Sequence, residues 1–100
     1  MTKPFEPAKL GAQHEVDPNT LGRGNRMALD RQRYAVQLAL IDNGIRRATM
    51  IKVNEVGRVH DGHHGVRAAI DRGIAVDVEV LPGAEMPAAP PVIREMPFQH

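Results

Sequence analysis

The chain contains no cysteine and no tryptophan, and its only aromatic residues are Phe5, Tyr34 and Phe98. Without cysteine there are no disulfide staples, thiolate metal ligands or cysteine nucleophiles. With so few rings the core must be aliphatic, which argues against a base-stacking platform for single strands. No apolar run approaches the roughly 18 residues of a membrane span. The first ten residues carry Lys3, Pro4, Glu6, Pro7 and Lys9 where a signal peptide would have an apolar stretch. The expectation is therefore a soluble protein with no membrane partner. Proline is missing between residues 19 and 81, although eight prolines lie outside that interval. This gap marks the part of the chain free to build hydrogen-bonded elements.

One hundred residues support a single domain. The expected organisation is a flexible N-terminal segment over 1–15, a folded domain over 16–81, and a proline-rich, disordered tail over 82–100. The formal charge of +1 conceals an uneven distribution: between Arg23 and Arg72 there are ten Arg or Lys, nine of them Arg, against five Asp or Glu. The arginine fork matches phosphate oxygens, so a nucleotide or nucleic-acid partner is one reading, and a solvated surface of ion pairs is the other.

Within the domain, Arg26 to Asn43 predicts the longest helix, with Met27, Tyr34, Leu38 and Ile41 on one face and Arg26, Asp30, Arg33 and Gln37 on another. Asn25 is placed to cap its start and Gly44 its end. Residues 49–53 and 57–60 predict a hairpin. A short helix over 62–72, stopped by Gly73, follows. Residues 75–81 alternate strictly, with Val76, Val78 and Val80 on one side and Asp77 and Glu79 on the other, which predicts a strand. The order helix, strand, strand, helix, strand predicts an α+β fold, a small mixed sheet with helices packed against it.

The segment His60-Asp61-Gly62-His63-His64-Gly65 falls where a strand ends and a helix begins. A helix N-terminus presents unpaired N–H groups and about half a positive charge, which favours an anion such as phosphate. Arg58 and Arg67 are near enough in sequence to add charge-assisted contacts. The plainer reading is a capped helix start, with Asp61 accepting from the first turn. The histidines suit proton transfer or phosphate contact near neutral pH. Their spacing matches no standard metal-ligand signature, and adjacent His63 and His64 diverge on a helix. Arg46 and Arg47 follow Gly44, where cations favour a helix C-terminus.

From Val16 to Leu81 the chain resembles the ParB/sulfiredoxin superfamily. The resemblance rests on Val16-Asp17-Pro18-Asn19-Thr20-Leu21, on a helix ending in Asn43-Gly44, on a strand at Met50 to Val53, and on Asp61-Gly62-His63-His64-Gly65-Val66-Arg67-Ala68-Ala69. It implies that the motif turn binds nucleotide or nucleic-acid phosphate through Gly62, His63, His64 and Arg67. It also supports a phosphate role for Arg46 and Arg47, beside the contact expected of Arg58 from its position. Gly65 stands where many members carry arginine, which leaves phosphate to the turn N–H groups and Arg67. The family's sulfur-repair chemistry needs a cysteine that is missing. A chromosome-partition protein would continue into a helix-turn-helix domain where a proline-rich tail follows here.

The leading expectation is a phosphate-directed hydrolase, a ParB-like nuclease of the type found as bacterial toxin domains. In that reading His60, Asp61, His63 and His64 handle proton transfer or metal-assisted water activation, with a divalent ion such as magnesium as a compatible cofactor. Its partners would be nucleic acid and, for a toxin, a cognate inhibitor protein. It would act in the cytoplasm, after delivery from another bacterium in the toxin case. One alternative is a CTP- or ATP-binding or hydrolysing domain, working as a switch or a small-molecule kinase. Another is a non-catalytic DNA-binding module.

Overall fold

The computed structural model describes residues 2–24, 26, 28–45, 50–82 and 93–99. A four-stranded mixed sheet carries two helices. The elements are β1 (Gly11–Val16), a 3-10 turn (Pro18–Thr20), α1 (Arg31–Asp42), β2 (Ile51–Val53), β3 (Val59–Asp61), α2 (His63–Arg72), β4 (Val76–Val80) and a second 3-10 turn (Ile93–Glu95). The strand order is β1-β4-β2-β3. β1 pairs antiparallel with β4, β2 runs parallel to β4, and β2 and β3 form the expected antiparallel hairpin. No helix among the described residues is long and apolar enough to cross a membrane.

β4 follows its alternation: Val78 and Val80 are buried and Val76 is half-buried, while Asp77 accepts from the Glu15 N–H at 3.1 Å. Both helices close on a glycine in the left-handed region. After α1, Gly44 donates to Ile41 and Ile45 to Leu40; after α2, Gly73 donates to Ile70 and Ile74 to Ala69. These paired bonds satisfy the last carbonyls of each helix, so Gly44 and Gly73 act as expected. α2 buries Val66, Ala68 and Ala69. α1 has no buried residue and lies as the outer layer, with Tyr34, Leu38 and Ile41 half-buried.

Three expectations are corrected. α1 begins at Arg31, not Arg26, because the backbone at 29 and 30 is otherwise engaged. Leu29 pairs with Phe98, and Asp30 is the N-cap, its carboxylate accepting from the Arg33 N–H at 2.9 Å. The expected cap Asn25, Met27 of the expected apolar face, and Arg46 and Arg47 lie outside the described residues.

The N-terminal segment over 1–15 is not loose among its described residues. Gly11 to Val16 form an edge strand on β4, and Lys3 is locked between Glu15 and Asp17 by backbone bonds of 2.8 and 2.7 Å. Buried Gln13 gathers the Glu6 to Lys9 turn: its side-chain oxygen accepts from the Glu6 N–H, and its amide donates to the Glu6 and Lys9 carbonyls. Phe5 joins the core against Gly57, where a β-carbon would stand 2.7 Å from the ring.

Residues 93–99, expected in the disordered tail, also pack. Ile93 is fully buried and Met96 nearly so, in one cluster with Leu29, Ile51, Val53, Val66 and Val78. Burying such side chains contributes roughly 1.5–3 kcal/mol each, which outweighs the proline-rich character of the segment.

Candidate functional site

The β3–α2 junction forms one wall of a cleft of about 390 Å³. Its lining is His60 and Asp61 from the end of β3, Gly62 to Gly65 from the head of α2, Arg33, Val36 and Gln37 from α1, and Arg26 from the loop before α1. Gly62 turns the chain with φ at +114° and brings the helix against the sheet so closely that a β-carbon there would stand 3.0 Å from Ile51 Cγ1. Only glycine combines that φ with that approach.

Gly62 is also the N-cap and supplies no side chain, so Asp61 does not cap the helix as the plainer reading expected. The first intrahelical bond runs from the Val66 N–H to the Gly62 carbonyl at 3.0 Å. The N–H groups of His63, His64 and Gly65 precede it and have no side-chain cap. Two arginines and one carboxylate line the cleft beside them. The result is a concave surface with a positive balance and a helix pole at its base.

The two helical histidines, expected to handle proton transfer or contact phosphate, have both Nε2 atoms held by backbone N–H groups. Both are buried, at 5% and 8% exposure. His63 Nε2 accepts from the Gly24 N–H at 3.1 Å, and His64 Nε2 accepts from the Asp30 N–H at 2.9 Å. An accepting Nε2 requires a neutral ring with its proton on Nδ1. The electrostatics agree: burial, then the nearby charges of Arg26, His64 and Arg23, push His63 down to about 4. Burial, then Arg26 and Arg33, lower His64 as well. These rings therefore clasp Gly24 and Asp30 onto the head of α2. Arg23, itself buried, braces the loop before α1 by donating to the Gly24 and Arg26 carbonyls at 3.1 and 3.0 Å.

No family model, curated protein or solved structure matches the chain.

His60, Asp61, Gly62, His63 and His64 thus come together on the cleft, while Arg58 and Arg67 are not among its lining residues. Arg67 lies one turn further along α2, where it pairs with Asp71 at 3.3 Å and donates to the Met96 and Ile93 carbonyls at 3.0 and 3.4 Å. Its guanidinium also lies 5.2 Å from the Phe98 ring centre. It fastens the C-terminal segment. The sequence reading missed Arg26 and Arg33 as site residues; Arg33 carried a signal in the polar face that it shares with Gln37 on α1, whereas Arg26 reaches the cleft from the loop before the helix.

Among the described residues no group of three or more His, Cys, Asp or Glu side chains is arranged to hold a metal ion. With both helical Nε2 atoms committed, His60 and Asp61 are the remaining imidazole and carboxylate on the cleft. Of the two, only the Asp61 carboxylate is the oxygen donor that magnesium carried in on a phosphate would take.

Proposed function

We infer that the protein is a ParB/sulfiredoxin-like domain that binds a phosphate group of a nucleotide or nucleic-acid chain in the cleft at the head of α2. The observation that carries this reading is the uncapped first turn of α2 opening onto a cleft that Arg26 and Arg33 also line. Fixed N–H donors and two guanidinium groups favour a phosphate over a planar carboxylate, because its tetrahedrally disposed oxygens can be met from several directions at once. The order of the motifs along the chain and the mixed four-stranded sheet support the family reading. The cleft volume suits one nucleotide unit.

Hydrolysis of a phosphodiester, the nuclease reading, is favoured by one further feature: exposed His60 and Asp61 stand on the same cleft. They would be the acid and base there, with magnesium on the phosphate supplying charge neutralisation. His63 and His64 serve this reading by holding the loop that bears Arg26.

Calorimetric titration with inorganic pyrophosphate, CTP and ATP, with and without magnesium, tests the binding. Arg26→Gln together with Arg33→Gln should weaken it about tenfold or more. Equal affinity in the double variant, or none in the wild type, would refute the reading. Plasmid DNA and total RNA incubated with wild type and His60→Ala test the nuclease reading, which requires loss of polymer in the wild type alone.

A further inference from the structure

The loop that carries Arg26 is held from two sides, and the outer side belongs to the C-terminal segment. Leu29 donates to the Pro97 carbonyl at 2.8 Å and accepts from the Gln99 N–H at 2.7 Å. The segment is anchored independently by Ile93 and Met96 in the core and by Arg67 on their carbonyls. The Phe98 ring stands edge-on to Tyr34 at 5.0 Å, with the Arg31 and Arg67 guanidinium groups 5.0 and 5.2 Å from its centre.

The next residue after Leu29 is the junction of the site. Asp30 donates its N–H to His64 on α2, and its carboxylate caps α1 at the Arg33 N–H. The register of Leu29 on Phe98 therefore governs where Asp30 sits, and Asp30 in turn fixes the first turn of α1 from which Arg33 reaches the cleft.

We propose that residues Pro97 to Gln99 are a positioning element for the anion cleft, whose docking on Leu29 sets the affinity for a phosphate ligand. The inference rests on the phosphate reading above. Coupling of this kind is reciprocal, so a phosphate ligand in the cleft also tightens the docked segment.

Gln99→Pro tests this at an exposed side chain, because proline removes the N–H that Leu29 accepts and sets its ring Cδ against the Leu29 carbonyl, which breaks the docking contact. Phe98→Ala is the second variant, and two measurements are made on each. Without ligand, amide exchange at Asp30 should rise about tenfold, while Ala69 in α2 and Val78 in β4 keep wild-type protection. With inorganic pyrophosphate as the probe, the affinity should fall about fivefold, the scale of one neutral hydrogen bond.

Unchanged Asp30 exchange in both variants, or a rise shared equally by Ala69 and Val78, would overturn the coupling. A wild type indifferent to pyrophosphate would instead overturn the phosphate reading, and with it the functional half of the proposal. The two failures appear in different samples and are distinguishable.

Discussion

Acidification should weaken the fold through His63, well before the ordinary carboxylates protonate. Its Nε2 accepts the Gly24 N–H, and an imidazolium has no lone pair to offer. Protonation would break that bond and place a charge beside Arg26, His64 and Arg23, with Asp61 the one opposing carboxylate. The folded ring titrates near 4 and the unfolded one near 6.5. Between those values the unfolded chain binds a proton that the folded chain refuses, so stability is complete above about pH 6.5 and falls as pH drops towards 4. That gap corresponds to at most about 3–4 kcal/mol, and partial solvent screening reduces it to on the order of 2 kcal/mol. Against a total of roughly 5–15 kcal/mol for a small domain, such a loss is easily measured. His64, lowered by burial and by Arg26 and Arg33 and supported only by Asp30, adds in the same direction. Urea unfolding followed by circular dichroism at pH 7, 6, 5 and 4.5 reads the effect. In His63→Gln the amide oxygen accepts the Gly24 N–H at every pH, so the dependence should be clearly shallower. A wild-type profile flat from pH 7 to 4.5, or an equally steep one in the variant, would refute the clasp.

Two glycines give further expectations. At Gly57 φ is +87° and a β-carbon would stand 2.7 Å from Phe5 Cδ2, so Gly57→Ala should cost on the order of 2 kcal/mol in thermal unfolding. Placed in a Phe5→Ala background it should cost only about 1 kcal/mol, the part due to φ alone, and an undiminished cost would remove Phe5 from the explanation. Gly62→Ala, with φ at +114° and Ile51 Cγ1 at 3.0 Å, should lower stability by about 1–3 kcal/mol and weaken pyrophosphate binding, read by unfolding and calorimetry on one preparation.

The parts of the fold legible in the sequence are those whose cause is local. The Val-Asp-Val-Glu-Val alternation of β4, the glycine stops at Gly44 and Gly73 and the Asn54-to-Gly57 turn each contain their own reason. β1 does not. Gly11-Ala-Gln-His-Glu-Val16 has few strand formers, and its extended form comes from pairing with Val76 to Val80, sixty or more residues away. The C-terminal segment reads as disordered for a similar reason. Its prolines are local and visible, whereas the pocket that takes Ile93 and Met96 exists only after Leu29, Val66 and Val78 have assembled. The motif places Arg67 among the phosphate contacts. Four residues past His63, it lies about 6 Å along the axis, where the field of the helix pole has faded and where the carbonyls of residues 93 and 96 wait.

The histidines show why a cluster of chemically able residues is a weak guide to its own chemistry. His60, His63 and His64 invite an acid–base reading because imidazole titrates near neutral pH. What separates them is the partner of each Nε2, and for His63 and His64 those partners are backbone N–H groups 39 and 34 residues earlier in the chain. Burial alone does not decide the matter, because a buried catalytic histidine and a buried structural one lose the same hydration. The accepting geometry decides it: a ring whose lone pair is already held by the backbone would have to break that bond to take a proton from a substrate. The backbone bond is itself what keeps Gly24 and Asp30, and between them Arg26, beside the head of α2. Proton transfer by these two rings and order in the loop that bears Arg26 are thus opposed, so on the proposed phosphate reading any acid–base work would fall to exposed His60 and Asp61.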